Sequence, residues 1–170
     1  MVRRIMLLLV MPPLSGCWQS EANLYADLTP VTPFKPGAIA IRNTDDPEVS
    51  HQQLALDGTA YRISGRKDEA IMVLRFYSLP GTPGYLVADA TGLASCPTGA
   101  YEKGPHSYGL VHPLPDGRVE ELAQNCDGDR AERVGATKKG FVCEFGDRAR
   151  LEKALRTLVT EKPTAIVTPE

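Results

Sequence analysis

Ile71-Met72-Val73-Leu74-Arg75-Phe76-Tyr77 is the stretch on which the reading of this chain turns. It is a short run of β-branched, aromatic and long aliphatic residues with a single charge, bounded on both sides by turn formers. That pattern fits a buried strand better than a helix, which needs a longer period of apolar positions. Ser64 to Asp68 makes the turn before it, and Pro80-Gly81-Thr82-Pro83-Gly84 breaks the run after it. Tyr85 to Ala88 then returns as a partner, so the run reads as the central strand of an antiparallel sheet.

Working outward, the same alternation recurs. Tyr61 and Ile63 alternate upstream, and Asp57-Gly58 separates them from Leu54 and Leu56. Asp-Gly between alternating runs is a strong hairpin signal, because both residues tolerate the positive φ that tight hairpin turns demand. Ala38 to Arg42 alternates before the turn cluster Asn43-Thr44-Asp45-Asp46-Pro47. Downstream, Tyr108–His112 and Val119–Leu122 flank Pro113–Gly117, which contains a second Asp-Gly pair, and Phe141–Phe145 ends the series. The units around residues 71–89 and 108–125 look alike, too loosely for a repeat. Near the C-terminus the period changes: Leu151, Ala154, Leu155 and Leu158 stand at helical spacing, and Asp147 is placed to cap the helix start. Glu161–Glu170, with Pro163 and Pro169, reads as a frayed tail. The fold class expected is α+β: an antiparallel meander of about seven or eight short strands, with one C-terminal amphipathic helix covering one face. A curled half-barrel is a variant of the same meander.

A length of 170 residues suits one modest core, and 24% charged with 42% apolar residues is ordinary for a globular domain. The formal charge of −2 becomes −4 if Arg3 and Arg4 are removed with a leader. No basic stripe is visible, which argues against nucleic-acid binding and against a polybasic membrane patch.

At the N-terminus, Arg3-Arg4 precedes the apolar run Ile5–Met11, then Pro12-Pro13 and Leu14-Ser15-Gly16-Cys17. The run is too short to cross a hydrocarbon core, which takes about 20 residues. The order of basic, apolar and small-residue segments is that of a secretory signal, and Leu14-Ser15-Gly16-Cys17 resembles the lipobox of bacterial lipoproteins. The resemblance covers only the first 17 residues. It implies a signal peptide over 1–16, cleavage before Cys17 and lipidation of its thiol, with acyl chains contributing about 0.8 kcal/mol per buried CH₂. Trp18 stands where an Asp commonly marks inner-membrane retention, which implies the outer membrane, facing the periplasm. Residues 17–37, with Pro30, Pro33 and Pro36, then read as a tether, with Asn23–Leu28 as a stretch that packs on the domain in the alternative reading. The globular domain is expected over 38–160 and the flexible tail over 161–170.

Export to an oxidising compartment makes a disulfide the default for Cys96, Cys126 and Cys143. Cys126 and Cys143 flank the polar loop Asp127–Gly140 and are the pairing expected, against two alternatives that use Cys96. No C-x-x-C spacing points to a metal. Asp127-Gly128-Asp129 begins like a calcium loop, but Ala131 and Lys138 occupy positions that need oxygen ligands. Cys96 with His106 or His112 is the one nucleophile–base pairing the composition offers. Tyr77, Tyr85, Tyr101 and Tyr108 read as core or edge residues, with an aromatic groove as the rival. The functional expectation is a non-catalytic envelope binding or accessory module, anchored by lipid, engaging a protein partner and needing no cofactor. The alternative is an envelope thiol hydrolase built on Cys96.

Overall fold

A computed structural model describes residues 18–64, 70–92, 105–123 and 126–170 of the chain. Cys17 and the residues before it, together with Cys96 and Tyr101, lie outside the described residues. The described residues are 47% strand and 14% helix, and the main sheet closes on itself. This corrects the expected α+β meander and half-barrel to a closed antiparallel barrel of eight strands with extra strands outside it.

The barrel strands are β2 (Gly37–Asn43), β3 (Val49–Asp57), β4 (Ala60–Ser64), β5 (Ala70–Ser78), β6 (Leu86–Gly92), β7 (His106–Pro113), β8 (Val119–Leu122) and β11 (Ala165–Pro169). Strands β2 to β8 pair in sequence order, as a meander does. Closure comes from β11, which lies between β8 and β2 with Ala165 opposite both Glu121 and Asn43. The segment read as a frayed tail therefore supplies the last stave. Its Ile166, Val167 and Thr168 are β-branched and suit a strand, and its register against β2 carries Pro169 out to Ile39. Thr164 ties this junction. Its N–H and hydroxyl donate to the Glu121 carbonyl at 2.8 and 3.1 Å, while its own carbonyl accepts from the Thr44 N–H at 2.9 Å.

Strand alternation sends successive side chains to opposite sides of the wall. Phe76 faces the interior and Tyr77 the exterior, as do Ala88 and Val87. The interior cluster includes Ile39, Ile41, Leu54, Ile63, Met72 and Leu74. Tyr77, Val87, Tyr108, Leu110 and Leu122 face outward into a second core.

That second core is covered by the remaining elements: β1 (Trp18–Ser20), α1 (Arg130–Val134), β9 (Thr137–Lys139), β10 (Val142–Glu144) and α2 (Arg148–Thr157), followed by a single 3₁₀ turn, Leu158–Thr160. The amphipathic pattern works as helix physics requires: Leu151, Ala154, Leu155 and Leu158 are all buried, and the Asp147 side chain accepts the Arg150 N–H at 2.8 Å. The helix packs against the outside of a barrel wall rather than across an open sheet. β1 adds to β7 on one side and runs parallel to β10 on the other. Trp18 and Tyr25 are fully buried, so part of the stretch read as a tether belongs to the folded body. Cys126 and Cys143 stand within this outer layer at bonding distance, S–S 2.06 Å.

Candidate functional site

Eight strands enclose an interior just wide enough to be filled by side chains or to hold one small ligand. Here the interior is not filled. Ala88 is part of its lining, and a single methyl group there leaves the cross-section open. The result is a cavity of about 580 Å³ walled by Ile39, Leu54, Ile63, Met72, Leu74, Phe76 and Val111.

The lining runs from buried residues to exposed Lys35, Pro36, Gly117 and Arg118. These lie where β2 begins and where the β7–β8 hairpin turns, so the mouth is at that end of the barrel. A strap of chain borders it. The Val31 N–H donates to the Phe76 carbonyl at 2.8 Å, and the Tyr61 hydroxyl holds both backbone groups of Phe34, accepting its N–H at 2.9 Å and donating to its carbonyl at 2.8 Å. This places the Phe34 ring edge-on to Phe76 at 4.9 Å, over the apolar wall.

Deep in the cavity stands a carboxyl group. In β8, Val119 and Glu121 share the inward face and Glu120 and Leu122 the outward one. Glu121 lies two residues beyond Val119, about 7 Å further from the mouth. Only 5% of it is exposed, and its Oε1 has no hydrogen-bond partner among the described residues. Burial in apolar surroundings disfavours the charged form, and it pushes the Glu121 carboxyl up to about 8. The Ser50 hydroxyl, on the same face of β3 as Gln52 and Leu54, is also buried and unpartnered among the described residues.

A second polar cluster lies outside the barrel wall. Asp89 on β6 is fully buried, with its Oδ1 2.8 Å from His106 Nδ1 and its Oδ2 unpartnered among the described residues. Tyr25 stacks on Tyr77 at 4.8 Å beside it, and Tyr108 faces Asp89 across the β6–β7 pair. Burial raises the phenols of Tyr25, Tyr77 and Tyr108, and the Asp89 charge adds to the rise in each. These rings are packed in the outer core.

The residues singled out from sequence are dispersed. His106 and His112 stand at opposite ends of β7. His112 pairs with Glu120 at 3.1 Å and stacks on Tyr85 at 4.4 Å, away from Asp89. Cys126 and Cys143 are joined in the outer layer, and Asp127 and Asp129 lie just before α1, with Asp129 at its N-cap. No group of three or more His, Cys, Asp or Glu side chains among the described residues is placed to hold a metal. Glu121 and Asp89 went unread. The signal for Glu121 was in the alternation, since a strand carrying Val119-Glu120-Glu121-Leu122 must turn one glutamate with each apolar residue.

Fold and site together define a closed eight-stranded β-barrel with an apolar, open-mouthed cavity, whose lining holds the buried carboxyl of Glu121. Comparison with protein-family models, with curated proteins and with solved structures gives no match for this chain.

Proposed function

We propose that the protein is a lipid-anchored envelope module that binds a small apolar molecule inside its barrel. The observation that carries this reading is the cavity itself. Close-packed interiors leave few voids larger than a water molecule, yet here about 580 Å³ stays open within a closed barrel. Pockets that hold small molecules fall in the range of about 300–1,000 Å³, mostly apolar with a few placed polar groups, and this cavity has that form. The anchor rests on the Leu14-Ser15-Gly16-Cys17 box. Trp18, fully buried, is the next residue, so a lipid on Cys17 would hold the barrel against the bilayer with no spacer between them.

The test is titration of the folded protein with an uncharged, environment-sensitive naphthalene dye, beside an Ala88→Phe variant. Saturable one-to-one binding is expected in the parent. Ala88 lines the cavity, and the added ring takes up its space, so the variant is expected to bind at least about tenfold more weakly while keeping its fold. Equal binding by both, or none by the parent, rules the barrel out as the binding site. The anchor is tested separately by mass spectrometry of membrane-extracted protein, where an unmodified Cys17 sinks it.

The rival reading, an envelope thiol hydrolase, draws on one observation. Asp89 holds Nδ1 of His106, the arrangement that orients a general base. Glu120 holds Nδ1 of His112 in the same way at 3.1 Å, but Cys96 lies outside the described residues. The barrel reading needs no residue beyond those in place.

A further inference from the structure

Resting on the reading of the barrel as a binding site, the chemistry around Glu121 narrows what enters it. The walls that share the cavity with Glu121 are uncharged on every barrel strand: Ile39 and Ile41 of β2, Gln52 and Leu54 of β3, Ile63 of β4, and the apolar residues of β5, β6, β7 and β11. The charged groups of the lining, Lys35, Arg118 and Glu170, are exposed at the mouth. Arg118 is already paired with Asp116 at 2.8 Å, and Glu170 with His51 at 2.8 Å. Nothing among these groups supplies a cation to the buried carboxyl.

A carboxylate without a counter-ion in such a place is costly, and the group keeps its proton instead. The protonated group offers one O–H to donate and one carbonyl oxygen to accept, and Oε1 is unmatched among the described residues. A ligand amine would have to take that proton and bury an ion pair, at a desolvation cost of several kcal/mol per ion. A ligand hydroxyl accepts from one oxygen and donates to the other with no charge buried. A ligand carboxylate beside Glu121 would place a negative charge among the apolar walls, with no cation on the described barrel strands that line the cavity to meet it.

We infer that the ligand is a neutral, largely hydrocarbon molecule bearing a hydroxyl group that seats against Glu121, a lipid alcohol by class. The hydrocarbon part lies along the apolar walls towards the mouth, and the strap at Phe34 packs over it.

Displacement of the naphthalene dye by 1-decanol, decane and decylamine, from the full chain and from Glu121→Leu and Glu121→Gln, tests the assignment. Thermal melts establish that each variant is folded. The decanol-to-decane affinity ratio is expected to fall about fivefold to tenfold in Glu121→Leu, the loss of one buried hydrogen-bond pairing. Glu121→Gln, whose amide also donates and accepts, keeps most of the ratio. In the parent the ratio holds between pH 5 and 7 and declines above pH 8, and in Glu121→Gln it stays flat. An unchanged ratio in Glu121→Leu overturns the inference and leaves the barrel reading standing. Decylamine binding more tightly than decanol, in a manner lost in Glu121→Leu, overturns it in favour of a cationic ligand. Failure of the dye and of all three compounds to bind overturns the barrel reading with it.

Discussion

Glu121 is a residue that stability alone would not select. Its carboxyl is buried and unmatched at Oε1 among the described residues, and burial pushes it up to about 8. The unfolded chain ionises it in the ordinary carboxylate range, about 4.3. Between those two points the folded protein keeps a proton that the unfolded chain has lost. Stability therefore falls as pH rises through that window, and levels off once both states are ionised. Each pH unit across it costs about 1.4 kcal/mol at most. Glu121→Gln removes the effect. Melting temperatures of parent and variant are expected to differ little at pH 5 and to diverge by pH 8.5, with the variant higher. Parallel pH profiles for the two proteins would show that Glu121 is solvated and not the apolar-site carboxyl described above.

Among the elements, β11 carries the largest structural consequence for its length. Without it, β8 and β2 present unpaired edges, and exposed edges are templates for association. A chain ending at Thr164 is expected to lose its cooperative melt and to aggregate. A truncated chain that melts as the parent does would return β11 to the status of a tail. The reason it reads as a tail is physical. Local pattern reveals which residues favour a strand, and Ile71–Tyr77, the Asp57-Gly58 hairpin and the Leu151–Leu158 stripe all reveal themselves in that way. Pairing of β11 with β2 joins residues more than a hundred positions apart, as Ala165 opposite Asn43 shows, and no short window contains that information. The same limit hid the cavity. Seven of the barrel's staves follow one another in the sequence, yet an open meander and a closed barrel share the same alternation until the last stave is placed. Glu121 was legible as half of an alternating strand, but its meaning depends on a closed interior. Trp18 and Tyr25 were hidden by the prolines around them, which say extended chain without saying what the chain packs on.

At the scale of the whole molecule, two cores lie back to back across one wall. The barrel core is partly empty, while the outer core holds the large buried rings of Trp18, Tyr25 and Phe145 with the disulfide among them. This division gives the cavity a supported back, because β5 to β8 carry the outer core with α2 and β1 on their outward face, whereas β4 is held on the other side by the strap at Phe34. The Cys126–Cys143 bond closes a loop of 17 residues that contains α1 and β9. In the chain-entropy model a loop of that length is worth about 3 kcal/mol. Its loss should be felt first where the loop is, because cooperative units open locally before the whole unfolds. In a Cys126→Ser, Cys143→Ser double variant, amide exchange is expected to speed up most in α1, β9 and β10, and next in β1, which is hydrogen-bonded to β10. The amides of β2 to β5 should keep their protection, and dye binding in the barrel should survive at room temperature. Uniform acceleration through β2 to β5, or loss of dye binding along with the bond, would show that the two cores unfold as one unit and that the outer layer is part of the site rather than its support.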